Sequence, residues 1–202
     1  VNELKLISPQ LMVNSNIALV ASSSNLLERE YGKTIDSFDE VVRFNRAPTK
    51  GYEKYVGSKT TIRIANNHVF GNVLHSGWDT DAQPTFFIKE QKNINIVHLG
   101  PEAVHWGDRS QHIDPSSRAF LVDCNAIQRD IFSLTNERPS AGFGFLFICL
   151  ISDLHPHIFG YGFGEEGCPH YYEKNSISSH QFVKEREVMK IWIQKGYVTA
   201  HL

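Results

Sequence analysis

The sequence predicts an α/β fold, a mainly parallel sheet flanked on both faces by helices. Three observations carry that prediction. Short runs of β-branched and apolar residues alternate with longer stretches of helical pattern. The two clearest runs, Ile17 to Val20 and Val41 to Phe44, each open into a loop that begins with small or polar residues, and ligands of open α/β sheets sit at the carboxyl ends of strands. A chain of 202 residues with 41% hydrophobic content is long enough for one domain with a sizeable core.

In chain order, Ile17–Ala21 reads as a buried strand that runs into Ser22-Ser23-Ser24-Asn25. Small residues there let backbone N–H groups approach a phosphate or ribose closely. A helix is expected near Asn25. Glu40–Phe44 repeats the strand pattern, with Asn45 at its end and Ala47-Pro48 closing it. Thr60–Ala65, Phe86–Lys89 and Ile94–Leu99 are the next expected strands. A helix follows between Asn125 and Leu134, and another begins at Ser140, which stands after Pro139 and before a long apolar run, where an N-cap belongs. Ile158–Phe163 and Tyr197–His201 read as the last strands, with a helix around His180 between them. Gly71 to Thr85 and Gly100 to Ser117 mix Gly, Pro, Asp, His and Trp without periodicity. Loops of that length in a compact domain read as lids or substrate loops. No repeat, low-complexity run or linker interrupts the pattern, so one Rossmann-like domain over residues 1–202 is expected.

The formal net charge is −2, which excludes a basic field for wrapping nucleic acid. No apolar run reaches the roughly 18 residues that span a bilayer; any membrane association is expected to be peripheral. The chain begins with Val1 rather than methionine, which leaves room for a removed anchor. Cys124, Cys149 and Cys168 are odd in number and not closely paired, arguing against a disulfide framework and a zinc site.

The chain also carries an ordered set of motifs. Ala21-Ser22-Ser23-Ser24-Asn25, Tyr31-Gly32, Ile35-Asp36-Ser37, Arg43 to Thr49, Gly51-Tyr52-Glu53 and Val56 to Thr61 follow one another at near-fixed spacing. Together they resemble the large sialyl motif of the eukaryotic-type sialyltransferases, glycosyltransferase family 29. Arg138-Pro139-Ser140-Ala141-Gly142 with Tyr161-Gly162-Phe163-Gly164 resembles the small motif, His170-Tyr171-Tyr172-Glu173 the third, and His180 with Glu185 the very short His-x4-Glu motif. The resemblance implies a variant glycosyltransferase-A fold and an inverting, metal-independent transfer of sialic acid from CMP-sialic acid to a glycan hydroxyl.

Such a transfer passes through an oxocarbenium-like state, and needs a base for the acceptor hydroxyl and support for charge growing on the leaving phosphate. His180 reads as the general base, since imidazole takes a proton near neutral pH and the resemblance assigns that role to this position. Glu185, five residues on, lies on another helical face and is expected to orient the loop. By resemblance, His170 donates to the CMP phosphate as the bond breaks, and the Tyr171 phenol can reach the same group. Ser140, Ala141 and Gly142 stand at a helix start that favours an anion, the donor carboxylate or the ribose-phosphate. Ser22, Ser23, Asn25 and Asn45 are the other expected donor contacts. Gly160, Gly162 and Gly164 alternate as residues do where a backbone or ligand comes close, and Phe163-Gly164 is expected to line the cytidine. His105, Trp106 and His112 are expected to meet the acceptor. No metal or cofactor beyond the donor is expected, because Asp79-Thr80-Asp81 reads as a solvated loop.

The departures from the family pattern matter too. Its usual Gly-Asn-Ser opening is Ala21-Ser22-Ser23 here, and its Ser-Thr-Gly is Ser140-Ala141-Gly142. Each removes a polar group near the donor. The cysteines of the family's bridge would fall near Ile17 and near Asp153 or His155, so the bridge cannot form. With no Asn-x-Ser/Thr acceptor anywhere in the chain, these absences suggest a reducing compartment, the cytoplasm of a bacterium or virus or the inner face of its membrane. Two alternatives stay open: a CMP-Kdo-dependent transferase building a bacterial surface glycan, and a catalytically silent relative that binds CMP or a glycan.

Overall fold

A computed structural model of the chain describes residues 5–6, 16–45, 47–65, 95–99, 118–122, 125–136, 139–162, 170–172 and 182–202. Its strands are β1 (Lys5–Leu6), β2 (Ile17–Val20), β3 (Glu40–Phe44), β4 (Ile62–Ala65), β5 (Asn95–Leu99), β6 (Arg118–Val122), β7 (His157–Phe159) and β8 (Thr199–His201). They form one sheet in the order β1-β6-β5-β4-β3-β2-β7-β8, and every neighbouring pair is parallel. The helices are α1 (Gly32–Asp36), α2 (Glu53–Val56), α3 (Asn125–Thr135), α4 (Ala141–Ile151) and α5 (Phe182–Gln194), with a 3-10 turn over Ser24–Glu28.

Burial on both faces explains why the central strands read as continuous apolar runs. All four residues of β2 are buried, and the strand period of two sends alternate side chains into different cores. Ile17 and Leu19 join Val42, Phe44, Ile62 and Ile64 against Phe143, Phe145 and Leu146 of α4, with Ile131 and Met189 beyond. Ala18 and Val20 join Val41 and Phe159 against Leu26, Ile35, Val56 and Tyr171. The α4 sequence is apolar nearly all round, as a helix lying inside the fold must be.

Several expected bounds shift for local reasons. Residues 160–162 of the expected 158–163 strand are not strand, because Gly160 and Gly162 adopt φ of 68° and 62° and turn the chain after Phe159. A side chain on Gly160 would meet Leu26 at 2.5 Å. β1, β6, α1 and α2 were not anticipated. α1 and α2 cross at Gly32, where a Cβ would lie 2.0 Å from the Glu53 carbonyl oxygen. The expected strand at Phe86–Lys89 lies outside the described residues.

Two buried arginines brace the loops around β3 and β4. Arg43 and Arg63 are paired across the two strands and fully buried. Arg43 donates to the carbonyls of Val56 at 2.7 Å and Lys59 at 2.9 Å. Asp36 holds the same loop through Ser58 N and Lys59 N, each at 2.9 Å. Burial alone would raise the Asp36 carboxyl, but these hydrogen bonds, the Ser58 hydroxyl and Arg43 outweigh it and keep it below its ordinary value.

The strand order defines one crevice. β2 leads to β3 on one side, whereas its other neighbour, β7, leads to β8 on the opposite side. Between the carboxyl ends of β2 and β7 the winding reverses, and ligands of such sheets sit at a reversal of this kind.

Candidate functional site

The loop leaving β2 is pinned to the end of β7. Ala21 N donates to the Phe159 carbonyl at 2.9 Å and Ser23 N to that of Gly160 at 3.0 Å. Gly162 leaves room here: a Cβ on it would come 3.1 Å from Ser23 Oγ. The segment at His170 docks on the same loop, with Tyr171 N donating to the Ser22 carbonyl at 2.8 Å. Ser22 Oγ lies 2.8 Å from His170 Nδ1, and the His170 ring stacks on Tyr172 with centroids 5.2 Å apart. A serine hydroxyl that donates to Nδ1 leaves the proton of a neutral imidazole on Nε2, the tautomer that can donate to a ligand. Ser22, which stands where the family pattern has asparagine, therefore reaches the histidine, a role the sequence did not suggest.

Tyr171 departs from expectation. Its hydroxyl donates to the Pro48 carbonyl and its side chain is buried. Burial pushes the phenol up to about 12 against the pull of Arg43 and Arg63. Tyr171 thus ties the turn after β3 to the His170 segment, and its proton is not directed at a phosphate.

Asn45 ends β3 in the left-handed region, at φ 47°, a conformation asparagine tolerates better than most residues. Its N–H donates to the Ile64 carbonyl at 2.7 Å, and its own carbonyl accepts from Arg63 Nη1 at 3.0 Å. Asn25 sits in the 3-10 turn with a buried Oδ1 that has no partner among the described residues. A buried acceptor of that kind suits a ligand donor.

At the start of α4, Ser140 is the N-cap, and its Oγ accepts from Phe143 N at 3.2 Å. The expected anion at this helix start is present, but the chain itself supplies it. Ser140 N and Ser140 Oγ donate to the two carboxylate oxygens of Glu185 at 2.6 and 2.7 Å, and Glu185 is buried. The hydrogens of Ser140 are therefore taken by protein rather than offered to a donor sugar. Gly142 next door accepts from the Tyr161 hydroxyl at 3.2 Å through its carbonyl. Arg186, following Glu185, donates to the Gly162 carbonyl at 3.3 Å. The first turns of α5 thus join the α4 start to the loop after β7, directly after His180 in the chain.

His180, Phe163, Gly164, His105, Trp106 and His112 lie outside the described residues. Among the described residues no group of three or more His, Cys, Asp or Glu could hold a metal ion, and no helix is long and apolar enough to cross a membrane. Residues brought together at the crevice are Ser22, Ser23, His170 and Tyr171. Asn45 stands at the end of the next strand, β3.

Comparison with known proteins gives this geometry a context. Residues 13–101 match the model of glycosyltransferase family 29 (sialyltransferase). Beta-galactoside alpha-2,6-sialyltransferase 2 of Homo sapiens is 53% identical over 160 residues, which cover 71% of this chain and 30% of that protein. Its namesake in Danio rerio is 53% identical over 58 residues, 29% of this chain and 11% of that protein. A crystal structure of a mammalian sialyltransferase in complex with Gal-beta-1-3GalNAc-ortho-nitrophenol superposes with a TM-score of 0.70 at 22% identity, covering 98% of this chain and 74% of that one. The fold is therefore that of the mammalian sialyltransferase. The chain spans at most about a third of the length of the curated relatives it matches.

These relatives overturn one expectation. They are vertebrate proteins, and that kinship contradicts the expected cytoplasm of a bacterium or virus. The missing cysteine pair misled because one bridge contributes a few kcal/mol, an amount that a core packed on both faces of the sheet can replace. It does not report the compartment.

Proposed function

Over residues 13–101 the chain belongs to glycosyltransferase family 29, the sialyltransferases, and from that premise we propose that it moves sialic acid from CMP-sialic acid to a glycan hydroxyl, with inversion and without a metal. The observation that carries the reading is the Ser22–His170 hydrogen bond at the β2/β7 reversal. It supports an imidazole with its proton on Nε2 beside the nucleotide. In the proposed step the bond from the anomeric carbon to the phosphate oxygen breaks, and the electron pair stays with CMP. His170 meets that growing charge with its Nε2 proton. The acceptor oxygen forms the new bond from the opposite side, and His180 takes its proton. Asn25, Asn45 and the Ser22–Ser23 backbone hold the nucleotide. The helix start at Ala141-Gly142, already braced by Glu185, lies near the donor carboxylate, and Phe163-Gly164 lines the cytidine. Residues 1–202 act as one catalytic domain, with His105, Trp106 and His112 on the acceptor side.

Release of CMP from CMP-sialic acid and from CMP-Kdo, measured side by side in EDTA with a galactoside acceptor, tests the proposal. The expected result is turnover of CMP-sialic acid alone, undiminished by EDTA. His180→Ala is expected to lower it by about 10²- to 10⁴-fold with CMP affinity little changed, whereas His170→Ala lowers both. Preference for CMP-Kdo, turnover restored only by magnesium or manganese, or CMP binding without turnover would each refute it.

A further inference from the structure

Arg63 is fully buried, an expensive place for a cation. Burial pushes its guanidinium down to about 9, and neighbouring Arg43 adds to the fall, against the pull of Tyr171 and Tyr172. An apolar residue of similar volume at such a position is often neutral or better for stability. The reason for an arginine lies in what it holds. Nη1 donates to the Asn45 carbonyl at 3.0 Å and to the Ala47 carbonyl at 3.1 Å. From β4, one nitrogen therefore grips both ends of the turn that leaves β3. Tyr171 secures the next carbonyl, that of Pro48. Inside this frame Asn45 keeps φ 47°, a conformation that costs backbone energy and persists only where the surroundings impose it.

From this geometry we infer that Arg63 is a positioning residue for Asn45: it fixes the left-handed turn after β3 so that the Asn45 side chain is held ready for the nucleotide. The inference rests on the donor reading above for its ligand. Arg43 supplies an internal control. It is equally buried on the adjacent strand, but it braces the 56–60 loop through Val56 and Lys59. Lysine is a poor substitute at position 63, because a point-charge ammonium does not reproduce the guanidinium fork.

The test is a double-mutant cycle read as CMP affinity by calorimetry at 4 °C, with amide exchange of residues 41–47 as a second readout. Arg63→Lys and Asn45→Ala are each expected to weaken CMP by about tenfold, and the double variant to be no weaker than Asn45→Ala within about twofold. Arg43→Lys combined with Asn45→Ala is expected to be multiplicative. Arg63→Lys should also speed exchange at the Asn45 and Ala47 amides, which bond to Ile64 and Phe44, more than at Val41 to Phe44. Arg63→Gln, which carries no charge to bury, is expected to show the same pattern. Multiplicative loss for the Arg63/Asn45 pair, unchanged CMP affinity in Arg63→Lys, or failure of both Arg63 variants to fold at 4 °C would overturn the inference. If the unaltered protein binds no CMP, the donor reading fails, and amide exchange alone decides the role of Arg63.

Discussion

Glu185 occupies the place that a helix N-terminus reserves for an anion. Its two carboxylate oxygens satisfy Ser140 N and Ser140 Oγ, and the same serine caps α4, so one buried carboxylate of α5 holds the start of α4. Removing it leaves two part-buried donors of Ser140 without this acceptor. Glu185→Ala is accordingly expected to cost about 3 kcal/mol, read in urea unfolding, and to raise the donor KM. Glu185→Gln should lose less, because an amide still accepts one of the two hydrogen bonds. A loss under about 0.5 kcal/mol in the alanine variant, the range of ordinary surface changes, would contradict the role. The sequence places Glu185 in a motif but not against Ser140, because the two are 45 positions apart. Ser22 and His170, 148 positions apart, are the same case. Tyr171 was legible as a donor group, yet its proton goes to Pro48, a contact that only the folded chain brings together.

Among the elements, β7 and β8 carry an unusual pair on one edge of the sheet. His157 Nδ1 lies 2.9 Å from His201 Nε2, and Phe38 and Phe159 pack on the two rings. One proton serves this hydrogen bond, so the two facing nitrogens cannot both be protonated without breaking it. Burial lowers His157; burial and then His157 lower His201. Below the ordinary imidazole value the unfolded chain therefore binds more protons than the folded one, so stability is complete above about pH 7 and declines as pH falls through about 6.5 and below. The melting temperature is expected to drop between about pH 7.5 and about pH 5.5, and to drop less in His157→Phe. An identical pH slope in that variant would assign the acid sensitivity elsewhere. At this scale β3 was legible to the residue, since Val41–Phe44, after Glu40, is one apolar-dominated buried run before a turn. β6 was not, because Arg118–Val122 follows an irregular stretch, and α1 and α2 are too short to show a helical period.

For the whole molecule, the sheet order decides where chemistry can happen. Parallel strands are joined by crossovers, so pairing cannot be read from the strands themselves, and the order β3-β2-β7-β8 emerged only from the structure. What the sequence did show was small residues after β2, an asparagine after β3 and alternating glycines after β7, the features from which a ligand at these strand ends is proposed. Three strand ends thus supply the proposed nucleotide contacts, and the start of α4 the proposed neighbour of the donor carboxylate. The measurement that tests this most directly is amide hydrogen exchange during CMP titration. The account predicts protection of Ser22–Asn25 and Asn45, with the segments of β1 and β6 unchanged. A CMP footprint on the β1/β6 edge, with no protection at Ser22–Asn25, would contradict it.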